Sequence, residues 1–121
     1  ATRIATYNLT VAPATAAYVA AQLADPAFRR WRAMGLAEEP EQPSYFKPYA
    51  ERPWPGPLPR TATRAEGPSV NAACPYSGKP VTHFLTLDGR TWGFCNAFCR
   101  DKTMHDPDAW PAFVALEKAA G

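Results

Sequence analysis

Residues 74–99 read CPYSGKPVTHFLTLDGRTWGFCNAFC and contain all three cysteines of this 121-residue chain. The first five of these residues form a tight turn that carries a thiol, because proline and glycine both favour turns. Residues 80–87 and 90–95 then read as two strands, and Asp88-Gly89 between them is a strong signal for a two-residue hairpin. Residues 96–104 read as a short helix. The stretch therefore predicts a turn, a hairpin and a helix.

The cysteines lie on the predicted turn, at the end of the hairpin and in the first turn of the helix. Twenty residues separate Cys74 from Cys95, and three separate Cys95 from Cys99. Cys99 lies one turn into the helix, where the helix N-terminus favours the thiolate that a metal needs. An odd cysteine count without secretory features argues against a disulfide framework and for a reducing cytoplasm. The spacing predicts a metal site, against the plain alternative of three buried free thiols.

Zinc is the metal predicted first, and its structural sites usually have four ligands. His105 is the candidate fourth ligand, because it could return to the site after the short helix. His83 is disfavoured, since counting back from the turn places it opposite Phe94 on an apolar strand face. Asp101 and Asp106 are expected to be solvated groups at helix ends. Three thiolates without a fourth ligand would instead suit copper(I).

The end of the chain predicts one more helix. Asp106-Pro107 has the pattern of an N-cap followed by a first-turn proline, and the helix is expected to run to about Ala119. Its apolar face would consist of Trp110, Phe113, Val114 and Leu116.

The first third of the chain predicts helices. Residues 14–24 are rich in alanine, and Tyr18, Val19 and Leu23 form an apolar stripe at helical spacing. Asp25-Pro26 again has the pattern of an N-cap and a first-turn proline. The apolar face of this next helix is predicted to be Phe28, Trp31 and Met34, and its solvated face Arg29, Arg30 and Arg32.

A proline-rich segment separates these helices from the cysteines. Seven of the fourteen prolines lie between positions 40 and 59, so this segment is predicted to be neither helix nor central strand. It reads as an extended connector over about residues 39–69. Four aromatic residues suggest that the connector lies against a surface, since a free linker has little use for them. They are Tyr45, Phe46, Tyr49 and Trp54.

The predicted fold class is therefore α+β. It consists of a helical segment over residues 1–39, the connector over 40–69 and a small cysteine module over 70–121.

The cysteine module resembles a known group. Its tri-cysteine spacing, Gly78, Val81, the DGRTWGFC arm at 88–95 and the Asp-Pro start that leads to Trp110 are similar to the TRASH metal-sensing domains and the related YHS domains. The resemblance covers about residues 74–116. It implies a treble-clef-like hairpin and helix that bind a metal. YHS members usually carry a cysteine immediately before the glycine, where this chain has Ser77.

The helical segment resembles a second family. Ala17-Tyr18-Val19, the helix start Asp25-Pro26-Ala27 and then Trp31 before Ala37-Glu38 are similar to the last helices of a glutathione S-transferase. The resemblance covers about residues 2–39. It implies the C-terminal part of a larger protein, whose glutathione site would belong to an upstream thioredoxin-like domain. No catalytic residue of that family maps onto this chain.

Two functions follow. The first is an accessory region of a glutathione-transferase-like protein, and the second is a stand-alone metal sensor or metal chaperone. Nucleic-acid binding is disfavoured, because from residue 70 onwards five Lys and Arg are balanced by five Asp and Glu. The formal charge of +2 and the lack of a long apolar run likewise argue against a membrane. The sequence leaves open whether the chain forms a homodimer.

Overall fold

The computed structural model describes residues 1–38, 42–46 and 48–121, and for Tyr45 only the backbone. The connector residues Glu39, Pro40, Glu41 and Lys47 lie outside the described residues. The described part of the chain has an α+β fold, as predicted, with five α-helices and a three-stranded antiparallel sheet. In chain order the elements are α1 (Thr2–Thr6), α2 (Pro13–Ala24), α3 (Pro26–Glu38), a 3-10 helix (Pro43–Tyr45), β1 (Ala62–Ala65), β2 (His83–Leu87), β3 (Arg90–Phe94), α4 (Ala97–His105), a 3-10 helix (Pro107–Ala109) and α5 (Pro111–Ala119).

The predicted hairpin is confirmed. β2 and β3 pair antiparallel with Leu87 opposite Arg90, which leaves two residues in the turn. Asp88 and Gly89 have φ of 49° and 76°, as the preferred two-residue turn requires at both positions. The same register places His83 opposite Phe94. This was the position predicted from the turn.

The third strand lies inside the predicted connector. β1 pairs antiparallel with β2 at the edge of the sheet, with Ala62 opposite Leu87 and Ala65 opposite Phe84. Its four residues contain no proline, so they can supply the backbone donors that the prolines before them lack. This strand could not be recognised from the sequence, because it is only four residues long. Thr63 and Arg64 at its centre are exposed, so apolar and polar residues do not alternate along it.

The opposite edge of the sheet is closed by a side chain. Asn71 accepts a hydrogen bond from the Gly93 amide at 2.8 Å and donates one to the Gly93 carbonyl at 2.8 Å. Any Cβ at Gly93 would lie 2.6 Å from Ser69 Oγ and 2.7 Å from Val81 Cβ. The glycine therefore allows the segment before Cys74 to approach β3 closely.

One face of the sheet packs against the C-terminal helices. Leu85, Leu87, Trp92 and Phe94 are at most 1% exposed, and Phe113 of α5 is completely buried. The Phe113 ring lies edge-on to Trp92, with ring centroids 5.5 Å apart. Burial of each such side chain contributes roughly 1.5–3 kcal/mol, so these five residues form the main apolar contact of the fold.

The break between α2 and α3 follows the prediction. Asp25 Oδ1 accepts a hydrogen bond from the Phe28 amide at 3.0 Å, and Pro26 is the first residue of α3. Val19 and Leu23 are buried, but Tyr18 is 61% exposed. The prediction that Tyr18 belongs to the buried stripe is wrong, because α2 contacts its neighbours only along a narrow face.

The predicted faces of α3 are right only in part. Met34 packs against the core as predicted and Ala33 is buried, whereas Trp31 is 64% exposed. Arg29, predicted to be solvated, donates hydrogen bonds from Nε and Nη2 to the Asp106 carboxylate at 2.8 and 2.7 Å. α3 packs closely along α4, and a small residue at Ala33 permits that approach. A buried carboxylate on the partner recruits the arginine to the same face.

Asp101 and Asp106 are therefore not solvated, contrary to expectation, since only 7% and 4% of their surfaces are exposed. Asp101 accepts hydrogen bonds from Arg64 and Arg100. Asp106 caps no helix with its side chain, and Pro107 opens only a single 3-10 turn before α5 begins at Pro111. Both carboxylates serve as ion-pair partners between elements.

The connector is held mainly by Arg60. Its guanidinium contacts Asp88 of the hairpin turn at 2.8 Å, Asp108 at 2.7 Å and Glu117 of α5 at 2.8 Å. The aromatic residues contribute unequally. Trp54 is half-buried beneath Arg32, with the guanidinium 4.6 Å from the ring centroid, and Tyr49 lies edge-on to Tyr7. Phe46 is 77% exposed, so it does not pack as expected.

None of the helices in the described ranges is both long enough and apolar enough to cross a lipid bilayer.

Candidate metal centre

Cys74 lies in a closed turn before the hairpin. Its amide donates to the Lys79 carbonyl at 2.8 Å, and its own carbonyl accepts from the Gly78 amide at 2.9 Å. Gly78 has φ of 71°, a value that glycine adopts without strain. These two hydrogen bonds fix the backbone on both sides of the thiol. The predicted turn thus becomes a rigid knuckle, defined here as residues 74–79.

Cys95 and Cys99 flank the start of α4. Cys95 directly follows the last residue of β3, and Cys99 lies in the first turn of the helix. Asn96 is the N-cap, and its Oδ1 accepts a hydrogen bond from the Cys99 amide at 2.8 Å. The cap fixes the angle between strand and helix, so it also fixes the separation of the two thiols.

The fold brings the three sulfur atoms together. The Sγ atoms of Cys74, Cys95 and Cys99 all lie within 4.8 Å of one another, and the Cys95 and Cys99 sulfurs are 3.9 Å apart. All three cysteines are free. Two thiolates on one zinc ion at tetrahedral angles, each about 2.3 Å from the metal, would be about 3.8 Å apart. The cluster therefore has dimensions that could hold one metal ion.

The cluster is buried on one side only. Cys74 is 2% exposed and Cys99 is 8% exposed, whereas Cys95 is half-buried. The exposed Ser77 donates a hydrogen bond to Cys95 Sγ at 3.2 Å. The outer edge of the cluster is thus formed by the knuckle and by Cys95.

The pKa values of the two buried thiols are shifted in opposite directions. Burial opposes ionisation of Cys74, but hydrogen bonds from the backbone amides of Tyr76, Cys95 and Ser77 and from the Ser77 hydroxyl outweigh it and lower the pKa of Cys74. Burial and the neighbouring thiols Cys74 and Cys95 raise the pKa of Cys99. One thiolate is therefore favoured before any metal binds, and a cation would relieve the repulsion that opposes the others.

Lys102 adds a positive charge beside the cluster. Its Nζ lies over the rings of Tyr76 at 4.0 Å, Trp110 at 4.4 Å and Phe98 at 5.3 Å, and its charge favours the Cys99 thiolate. The sequence pattern does not single out this lysine. Phe98 lies four residues before it on α4, but Tyr76 and Trp110 come from outside that helix, so only the fold reveals that three rings surround one ammonium group.

His105 does not belong to the group of converging ligand atoms. It ends α4, where burial lowers the pKa of its imidazole, with Asp101 acting in the opposite direction and Arg32 and Arg64 adding to the decrease. Its role as fourth ligand stays a prediction. His83 also lies outside the group, and its Nδ1 is 2.9 Å from Thr82 Oγ1.

Comparison with known proteins gives no match to any family model, curated protein or solved structure. The resemblances of residues 2–39 to glutathione S-transferases and of 74–116 to TRASH and YHS domains therefore stay expectations, and the site must be interpreted from its own geometry.

Proposed function

We propose that this protein binds one zinc ion through the thiolates of Cys74, Cys95 and Cys99 and that it handles the metal without catalysing a reaction. The observation that carries the proposal is the convergence of three free thiols from three separate elements within 4.8 Å. Buried cysteines that merely fill a core have no reason to converge on one point.

The surroundings of the thiols support a metal ligand role. Hydrogen bonding lowers the pKa of Cys74, and the charge of Lys102 favours the Cys99 thiolate, while burial and the neighbouring thiols raise the pKa of Cys99 overall. The site therefore favours one thiolate in advance, and a bound cation would offset the repulsion among all three.

We propose zinc and not copper(I) because the cluster has room for a fourth ligand. The half-buried Cys95 leaves one side of the cluster accessible, and zinc requires a fourth ligand whereas copper(I) accepts three thiolates alone. X-ray absorption of protein loaded with each ion distinguishes them, because a site suited to zinc should show a fourth ligand besides the three sulfurs and a trigonal copper(I) site should show the sulfurs alone.

A role in sensing or transferring metal is supported by the same accessibility. Structural zinc sites are usually closed by four protein ligands, whereas sites with an open position exchange what they bind more readily. Among the described residues, Cys74, Cys95 and Cys99 are the complete group of converging ligands. This favours metal handling over a purely structural ion.

Zinc titration against a chromophoric chelator tests the proposal. The wild-type protein should bind one ion per chain. Cys74→Ser, Cys95→Ser and Cys99→Ser should each lose more than the roughly 10- to 100-fold in affinity that loss of an outer partner costs. Ala115→Ser is the matched control, since Ala115 is exposed on α5 and is no ligand. Equal affinity in all four variants would disprove the proposal.

An accessory role beside a glutathione-transferase-like domain is a second candidate. It is supported by the resemblance of residues 2–39 and by three exposed apolar side chains on α2 and α3, Tyr18, Trp31 and Leu36, which a further domain would cover. This chain alone should then fail to conjugate glutathione to 1-chloro-2,4-dinitrobenzene. Turnover by the chain itself would contradict an accessory role.

A further inference from the structure

The Ser77 hydroxyl marks one corner of the thiol cluster. Its Oγ donates a hydrogen bond to Cys95 Sγ at 3.2 Å. The knuckle holds this hydroxyl in place, because Ser77 Oγ accepts a hydrogen bond from the Lys79 amide at 3.3 Å. Ser77 thus borders the cluster beside Cys95, the least buried of the three cysteines.

The same corner is open to solvent. Ser77, Gly78, Asn96 and Ala97 are all exposed, and a Cβ placed on Gly78 would meet no atom within 4 Å. Within the described ranges, no His, Cys, Asp or Glu joins the three thiols as a fourth ligand there. A ligand that arrives from solvent therefore has room to reach a metal held by the three sulfurs.

The chemistry of the corner favours an anionic sulfur ligand. A divalent ion on three thiolates carries one net negative charge, which Lys102 and the N-terminus of α4 offset. Among the described residues, no carboxylate joins the three sulfurs, so the repulsion that a fourth thiolate meets comes from the cysteine thiolates alone, and the metal and Lys102 offset it. Zinc and similar ions bind thiolate strongly as a fourth ligand.

From this geometry we infer that the corner beside Ser77 takes a low-molecular-mass thiol as the fourth ligand of the bound metal. The inference rests on the proposed three-thiolate site. In the exchange, the incoming thiol gives its proton to solvent, its sulfur bonds to the metal, and a water molecule leaves. The protein would then receive or release its metal as a mixed complex with a small thiol.

Cobalt(II) substitution tests the inference, because sulfur-to-cobalt charge-transfer absorbance reports the number of bound thiolates. The protein is kept reduced with a phosphine and titrated with 2-mercaptoethanol. We expect the absorbance to rise by about one third as three thiolates become four. Ethylene glycol, the analogue without sulfur, should cause no change.

Ser77→Cys provides a second arm. It should show the four-thiolate absorbance without added thiol and should no longer respond to 2-mercaptoethanol. Ser44→Cys, an exposed position far along the chain, is the matched control and should respond like the wild type.

The outcomes separate the two proposals. A protein that shows no sulfur-to-cobalt absorbance would disprove the three-thiolate site itself. A three-thiolate spectrum that 2-mercaptoethanol leaves unchanged, or cobalt that the thiol removes from the protein instead of joining, would overturn only the inference about the fourth ligand. The wild-type titration decides this even if Ser77→Cys fails to fold.

Discussion

Single hydrogen bonds near the sulfurs set the geometry of the candidate site. The knuckle fixes Cys74 through two backbone bonds, and Asn96 fixes the start of the helix that carries Cys99. Neither depends on distant packing, since each bond closes over five residues or fewer. The spacing of the cysteines along the chain therefore contains most of the information about where the thiols lie.

The two histidines offer a test at this scale. Neither belongs to the converging group, so His105→Ala and His83→Ala should both bind zinc with an affinity within about threefold of the wild type. Chelator competition measures this directly. A tenfold or greater loss of zinc affinity in His105→Ala, with His83→Ala unaffected as the control, would contradict this. It would show that the His105 imidazole becomes the fourth ligand when the metal binds.

The pair between Arg29 and Asp106 gives a second prediction. The two side chains are 19% and 6% exposed and make two hydrogen bonds. Arg29→Met should lower the free energy of unfolding by about 3 kcal/mol, because it leaves a buried carboxylate without its cation. Urea unfolding measures the change, and Arg3→Met on the exposed side of α1 is the control. A loss below 0.5 kcal/mol, the usual range for surface substitutions, would mean that Asp106 finds another partner or water.

Arg29→Met combined with Asp106→Asn makes the interpretation specific. The double variant should be more stable than the sum of the two single effects predicts, since the uncompensated charge is gone. Simple additivity would contradict the ion-pair explanation.

At the scale of the elements, features that depend on a few neighbouring residues could be predicted from the sequence. Contacts between residues far apart in the chain could not. The hairpin follows from Asp88-Gly89, and the break before α3 follows from Asp25-Pro26, because each is decided within a few residues. The buried face of α3 could not be predicted in this way, because it is not decided by neighbouring residues. Its buried face is set by Asp106, some 77 residues away in the chain, and an arginine that pairs with a buried carboxylate looks the same in sequence as a solvated one.

β1 and the Lys102 environment were missed for a related reason. A four-residue edge strand becomes recognisable only through its partner, and three aromatic rings around one lysine come from three separate elements. The three thiols were predicted because turn, strand end and helix start are each locally encoded.

Arg60 allows a prediction about the attachment of the connector. It joins the chain just before β1 to Asp88, Asp108 and Glu117. Arg60→Gln should increase hydrogen exchange of the β1 amides about fivefold, because the edge strand opens more readily when the network is lost. Arg52→Gln, which changes an exposed arginine of the same connector, should leave the exchange unchanged. Equal exchange in both variants would show that pairing with β2 alone holds β1.

Across the whole molecule, the first helices and the cysteine module share contacts. Ala33 of α3 belongs to the same buried cluster as Cys74, Cys99 and Phe113, and α3 packs along α4. From the sequence alone, loss of metal is expected to loosen only residues 74–116. The contacts change that expectation, since α4, which carries the proposed ligand Cys99, also packs against α3.

Removal of the metal should therefore destabilise α3 as well as α4. With a chelator present, hydrogen exchange should rise at least about tenfold in both α4 and α3, as the metal contributes folding free energy to the region that holds it. Hydrogen exchange with mass spectrometry resolves the two helices. In Cys95→Ser the chelator should add nothing, because little metal is bound. Faster exchange in α4 with α3 unchanged would show that α3 is stable without its partner.

The central claim is that three thiolates from this chain bind one metal ion. X-ray absorption at the zinc edge tests it most directly, on protein loaded with one equivalent of zinc and purified without added thiol. We predict three sulfur neighbours at about 2.3 Å and one lighter atom at about 2.0 Å. A shell of nitrogen and oxygen with one sulfur or none, or a protein that retains no zinc, would contradict the claim.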